Sequence, residues 1–240
     1  MTRRLFAIAC GSLATVPALP QTPSNRLTEQ ERRDGWNLLF DGDTTHGWLE
    51  ITGKPFPSNC WTIEDHCLKA LVRLDGFQDI RTTETFRSFD LRFDWKLLEA
   101  GNSGVKYKIQ KVDEFVNAQG RQARARGLEY QLADDKDPDA ASDPRRVAAS
   151  LYSLIAPSPR VPPRIGAFNE SRIVVTGKHV EHWLNGQKVV SFDTDTPEVE
   201  KLLRANMPAD DHGPIQEESP VSLQNHSSET WFRNIRIRRL

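Results

Sequence analysis

The chain is expected to fold as an all-β sandwich, and three features of its 240 residues lead there. Phe89, Leu91, Phe93, Trp95 and Leu97 alternate with Asp90, Arg92, Asp94 and Lys96, the period of two that buries one face of a strand. Asn185-Gly186 separates two apolar-rich runs, and both residues tolerate the positive φ of a type I′ hairpin turn. Apolar residues at helical spacing are nearly absent after the first segment, while turn residues recur at short intervals. Many short strands between turns favour packed antiparallel sheets over a bundle.

The elements follow in order. Arg3 and Arg4 precede an apolar run from Leu5 to Ala9, and no acid occurs before Glu29. This is the pattern of an export signal over residues 1–18, with Val16 and Ala18 at the positions before cleavage, and it predicts a periplasmic or extracellular protein. Cys10 within Ala7-Ile8-Ala9-Cys10-Gly11 offers a weaker lipoprotein reading, because the apolar run before it is short. Residues 19–26 read as a linker and 27–240 as a single domain. Thr28-Glu29-Gln30-Glu31 is a capping box opening a short helix that Gly35 ends. Trp61–Ile63 and Leu68–Leu71 form a hairpin; a turn on Asp65-His66 sets Glu64 opposite Cys67 and Cys60 opposite Leu71, so Cys60 and Cys67 are expected as free thiols. The polar stretch from Asp134 to Arg146 reads as a loop. Residues 171–192 form the hairpin around Asn185-Gly186. Thr196 caps a short helix with Pro197 in its first turn and a body from Glu198 to Ala205. The last strand, Trp231–Ile237, changes apolar phase after Phe232, which calls for a bulge.

Composition excludes several functions. Lys and Arg number 32 against 33 Asp and Glu, so the net charge of -1 leaves no field to gather a phosphate backbone, and no nucleic-acid partner is expected. Arg233, Arg236, Arg238 and Arg239 read as the solvated face of the last strand. Three Cys without a C-x-x-C pair exclude a disulfide scaffold and a thiolate zinc site. No later run is long and apolar enough for a membrane span. Walker and G-x-G-x-x-G sequences are absent. Gly101-Asn102-Ser103-Gly104 fails as a nucleophile elbow because Val105 stands at the final glycine position. His179 and His182 fall on opposite faces of a strand and do not suit one metal ion.

Gly35-Trp36, Leu38-Leu39-Phe40-Asp41-Gly42, Gly47-Trp48, Trp61 before Glu64-Asp65, Gly101-Asn102-Ser103-Gly104, Gly127-Leu128-Glu129-Tyr130-Gln131, Leu184-Asn185-Gly186, Leu223-Gln224-Asn225-His226 and Phe232-Arg233-Asn234-Ile235 occur in that order. In these motifs the chain resembles the bacterial 3-keto-disaccharide hydrolase family over roughly Leu27 to Leu240. The resemblance implies a concanavalin-A-like jelly roll of two antiparallel sheets with one or two short helices, whose concave sheet binds an oligosaccharide or glycoside. It also implies a reaction on glycosides already oxidised at C3. A ketone there acidifies the C2 proton, so a modest base starts an elimination across C1–C2 and hydration completes a net hydrolysis. Such chemistry needs a base, a proton for the leaving group and a partner for the enolate.

Glu129-x-Gln131 on a strand puts two polar side chains on one face, with Leu128 and Tyr130 on the other. With the resemblance, Glu129 is expected as base or metal ligand and His226, able to move protons near neutrality, as its partner. Gln224 shares the face of His226. Asp134 reaches the same groove from the strand end; Asn102 and Ser103 offer hydrogen bonds to sugar hydroxyls; Tyr152 offers a ring to stack on, and Trp61 reads as core. A divalent metal is possible, with no ligand set identified. Asn225 stands where the pattern has Asp, Phe168 where it has Trp before Asn169, and Gly213–Ser219 carries an insertion. Two alternatives accompany this reading: a non-catalytic carbohydrate-binding module on the same fold, and a conventional glycosidase, for which Glu129 and Asp134 are the one pair of carboxyls that stands out.

Overall fold

In the computed structural model, residues 25–73, 76–118, 120–207 and 213–240 are described. The expected signal and most of the linker lie outside them. The elements run α1 (Glu29–Arg33), β1 (Trp36–Leu38), β2 (Trp48–Glu50), β3 (Trp61–Glu64), β4 (Cys67–Ala70), β5 (Gly76–Gln78), β6 (Ile80–Thr82), β7 (Phe89–Leu97), β8 (Asn102–Asn117), β9 (Gly120–Ala133), α2 (Pro138–Ser142), β10 (Asn169–Thr176), β11 (His179–Leu184), β12 (Gln187–Asp193), α3 (Pro197–Ala205), β13 (Ser222–Leu223) and β14 (Thr230–Arg239). Two sheets form the sandwich. The larger has the order β12-β11-β10-β7-β14-β4-β3, with β1 also paired to β14; the smaller has the order β2-β6-β13-β8-β9-β5. All pairs are antiparallel except β5 with β9. No helix among the described residues is long and apolar enough to cross a membrane.

The alternation in β7 is realised: Phe89, Leu91, Phe93, Trp95 and Leu97 are buried between the sheets. They meet Val105, Tyr107, Leu128, Tyr130 and Leu132 from β8 and β9 in one apolar cluster. The opposite face of β7 is paired rather than solvated. Asp90 is fully buried and takes a bidentate pair of bonds from Arg172 at 2.7 and 2.8 Å. The arginines of the last strand are likewise engaged, Arg233 with Asp94, Arg236 with Glu31, Arg238 with Asp90 and Arg239 with Glu84. This face of the last strand remains solvent-accessible, with Arg239 exposed, and carboxylates on β7, in α1 and beside the sheet pair with each guanidinium.

The local predictions hold where chemistry fixes them. The Thr28 capping box closes, with both the Thr28 hydroxyl and the Glu31 carboxylate accepting their backbone N–H. Asn185 and Gly186, both at positive φ, form the tip between β11 and β12. Glu64 pairs with Cys67, and Leu71 N donates to Cys60 O. No bond joins the two sulfurs; Cys67 is a free thiol, and Cys60 Sγ donates to Gln78 Oε1 at 3.1 Å. The bulge after Phe232 falls between Arg233 and Arg236, with Asn234 at φ 52°. Asn25, expected in a linker, is instead buried against that bulge: its N–H donates to Asn234 Oδ1 at 2.7 Å and its Oδ1 accepts from Asn234 N at 2.8 Å.

The stretch from 134 to 146 is not a plain loop. Asp137 caps α2 by accepting from Asp139 and Ala140 N, and Asp143 caps a 3-10 turn at Pro144–Arg146. Both helical turns are too short to display a period, though Asp followed by Pro is the capping signal. In α3 the Thr196 hydroxyl donates to Asp193 O and makes no cap bond to the helix.

Candidate active site

The site lies on the face of the smaller sheet turned away from the core. Pairing of β8 with β9 sets Gly104 opposite Gln131 and Lys106 opposite Glu129, and the period of two sends Asn102, Lys106, Glu129 and Gln131 to this face. They line a groove of about 420 Å³ together with Arg124, Arg126, Tyr152, Gln224 and His226. Leu128 and Tyr130, as expected, point into the core.

Gly104 makes room for the Glu129 carboxyl. A Cβ at Gly104 would lie 2.3 Å from Glu129 Oε1 and 3.0 Å from its Cγ, so the side chain lies across the bare backbone. Glu129 Oε2 stands 3.8 Å from Lys106 Nζ. Lys106 is buried and anchored by Asp79, whose Oδ2 is 3.5 Å away, and by Ala125 O at 3.2 Å. Asp79 is itself fully buried and accepts from Ala125 N at 3.2 Å and Asn225 N at 3.1 Å. With its amide turned so that oxygen faces the cations, Gln224 accepts from Lys106 Nζ at 3.1 Å and from Arg124 Nη1 at 3.2 Å. The Arg124 guanidinium rests 4.8 Å from the Phe77 ring centre.

These surroundings set the proton affinities. Desolvation pushes the Glu129 carboxyl above the usual carboxylate range, with Asp79 adding to the rise and Lys106 opposing it. A carboxylate held this way is a stronger base than one in water. His226 stands at the rim, exposed on its outer side; partial desolvation and the Arg124 charge lower it below an ordinary histidine, so it is neutral near pH 7. Partial burial, aided by the Asp139 charge, raises the Tyr152 phenol and keeps it protonated. Tyr152 N donates to Glu129 O at 3.0 Å, which ties its segment to β9, and both residues line the groove.

The structure brings together Glu129, His226, Asn102, Gln131, Tyr152 and Gln224. Gln131 Nε2 donates to Asn102 Oδ1 at 3.3 Å, while Gln131 Oε1 is buried with no hydrogen-bond partner among the described residues. Two expected residues do not join them. Ser103, adjacent to Asn102 and so on the other face, donates to Gln224 O at 2.7 Å. Asp134 closes the turn before β8, its Oδ2 accepting from Ala100 N at 2.7 Å. Trp61 is core, its indole N–H donating to Gln78 O at 2.8 Å. His182 is buried between Tyr107 Oη and Ala149 O, whereas His179 is exposed on Asp193, so the two do not converge.

The departures from the family pattern fall into structural places. Asn225 is buried with Nδ2 donating to Cys60 O at 3.0 Å and Leu71 O at 3.2 Å, two bonds a carboxylate at this position could not donate. Phe168 carries Arg233 on its ring at 3.6 Å, on the larger sheet. In the 213–219 segment Glu217 pairs with both Lys108 and Lys178, clamping the two sheets away from the groove.

Lys106, Arg124, Arg126, Asp79 and Gly104 were not foreseen as site residues. Lys106 alternates with Val105 and Tyr107, a signal of a polar face, but its partner is set by the β8–β9 register, which a bulge between Tyr107 and Lys111 shifts. The donor set does not fit a divalent cation. Among the described residues no group of three or more His, Cys, Asp or Glu could hold a metal ion, and Lys106 and Arg124 occupy the space around Glu129 and Gln224.

Residues 35–238 match the family described as the 3-keto-alpha-glucoside-1,2-lyase-like domain. The chain belongs to this family. The 3-keto-disaccharide hydrolase of Bacteroides thetaiotaomicron is 32% identical over 228 residues, spanning 85% of this chain and 78% of that protein. The crystal structure of a candidate glycosyl hydrolase from Parabacteroides distasonis superimposes with a TM-score of 0.74 at 26% identity, covering 91% of this chain and all of the other. A second Parabacteroides distasonis structure gives 0.59 at 19% identity, over 86% and 84% of the two chains, and supports the fold alone. Membership of the 3-keto-alpha-glucoside-1,2-lyase-like family supports a carbohydrate-processing function for the chain. The sheet order and the superposition with a TM-score of 0.74 bear out the two-sheet sandwich expected from the alternating strands.

Proposed function

We propose that the protein cleaves 3-keto-glycosides by elimination and hydration, with Glu129 as the base. The observation that carries this reading is a groove in which, among the described lining residues, Glu129 is the one carboxylate and Lys106, Arg124 and Arg126 are its cations. Asp134 faces elsewhere and Asp79 is committed to Lys106 and two backbone N–H groups. A conventional glycosidase requires a second carboxyl across the sugar, whereas elimination alpha to a ketone requires one base and positive charge for the enolate.

Glu129 takes the C2 proton, the C2–H electron pair forms C2=C3, and the C3=O π pair moves onto the oxygen, which Lys106 and Arg124 hold as an enolate. The oxygen pair then re-forms C3=O, the C2=C3 pair forms C1=C2, and the C1–O pair leaves with the glycosidic oxygen, which takes the proton from Glu129. His226, neutral at the rim, removes a proton from water as its oxygen adds to C1, and C2 is reprotonated from the imidazolium. The sum is hydrolysis. Gln131 Oε1 and the Asn102 amide position ring hydroxyls, and Tyr152 lies beside the carboxyl as a stacking surface.

Turnover in heavy water tests the reading. Elimination incorporates deuterium at C2 of the released keto sugar beyond the non-enzymatic exchange measured without protein. An acetal hydrolysis leaves C2–H intact, so product without deuterium at C2 would overturn the proposal.

A further inference from the structure

Glu129 borders a second chamber on the side toward α3. This cavity, about 190 Å³, shares Lys106, Arg126, Glu129 and Tyr152 with the groove and is closed by Gly127, Ser153, Leu202 and Asn206. Its shape follows from the β8 bulge between Tyr107 and Lys111, which bends the hairpin opposite Gly127. A Cβ at Gly127 would lie 2.7 Å from Tyr107 O, so only glycine fits beneath the bend. The end of α3 completes the wall, with Asn206 Nδ2 donating to Gly127 O at 3.3 Å.

Both chambers touch Lys106 and Arg126, and they differ in Arg124, which lines the groove alone. The groove holds Arg124, the cation-facing amide of Gln224 and the unpartnered acceptor of Gln131. Apart from the shared residues, the smaller chamber is lined by neutral side chains and bare backbone. The additional positive charge of Arg124 belongs beside the ring that becomes an enolate. The smaller volume corresponds to about six waters of liquid, the scale of a single hexose, and the residues common to both chambers place Glu129 and Tyr152 at their junction.

We infer that the smaller chamber is the leaving-group subsite, receiving an unoxidised neutral hexose while the keto ring occupies the groove. The assignment rests on the elimination reading for the direction of the bond, and it makes a two-ring glycoside the preferred substrate over one with a small aglycone.

Asn206→Phe fills the chamber from α3, and Ser153→Asn fills it from the opposite wall at a backbone position of φ 59° that asparagine tolerates. The probes are a 3-keto-disaccharide, the methyl glycoside of the same keto sugar, and glucose. The ratio of kcat/KM for disaccharide to that for methyl glycoside should fall at least tenfold in both folded variants. Calorimetry reads the chamber without turnover: glucose should bind the wild-type protein and lose at least tenfold in affinity in the variants. An unchanged ratio, or glucose binding that is absent in the wild type or insensitive to both substitutions, overturns the inference. Glucose binding that is lost in the variants, in a wild-type protein that cleaves neither glycoside, keeps the subsite and overturns the reaction instead.

Discussion

The Glu129 side chain lies across Gly104, so that a methyl group on Gly104 would stand 2.3 Å from Glu129 Oε1. The glycine is needed for the absence of a side chain and not for its backbone, since its φ is not among the positive ones. Gly104→Ala should therefore leave the strand paired and push the carboxyl from its place beside Lys106. The expected result is a fall in kcat of about tenfold to a hundredfold with the melting temperature within a few degrees of wild type. Equal losses of activity and stability would show that the position matters for folding alone.

Glu129→Gln keeps the size of the side chain and removes its basicity, so turnover should fall by at least about a thousandfold while binding of the keto sugar persists. The pH profile carries a sign. In the proposed reaction the ionised carboxyl is the base, and desolvation raises its proton affinity, so kcat/KM should climb with pH through a midpoint above the ordinary carboxylate value. A profile flat from pH 4 to 7 would remove Glu129 from that role.

Asp79 and Lys106 form a buried pair at 3.5 Å. Asp79→Ala leaves the ammonium facing Ala125 O and Glu129 without its anchor. Losing one member of such a pair costs about 3 kcal/mol or more, readable as a lower urea midpoint. Activity should fall further than the unfolded fraction accounts for, because in the proposed reaction Lys106 also holds the enolate.

His182 gives the fold a pH dependence separate from catalysis. Burial lowers its affinity for protons to a pKa of about 4, while an unfolded histidine titrates near 6.5. The neutral ring is the native form, so its contribution is complete above about pH 6.5 and is lost as pH falls toward 4. The full loss is about 3 kcal/mol. Urea denaturation at pH 7 and pH 4.5 should show that difference shrink in His182→Phe, although the variant also loses the bond to Tyr107 at 2.7 Å.

What the sequence determined by itself was local and periodic. The alternation of Phe89 through Leu97, the capping box at Thr28, the Asn185-Gly186 tip and the phase change after Phe232 each follow from bonds or periods spanning a few residues, and each is present. The same period put Glu129 and Gln131 on one face. Tertiary structure alone decided which other groups meet them. Asp79 reaches Lys106 across strands that are distant in sequence, and Tyr152 reaches Glu129 through a segment bonded along β9. Asp134 was counted into the groove from its spacing, but the turn at Ala100 claims its carboxylate. Ser103 was grouped with Asn102, but the register turns it toward Gln224 O. A pattern of spacing specifies a face; which side chains share a groove depends on strand order, on the β8 bulge and on the missing side chain of Gly104, and these are fixed only when the two sheets pack.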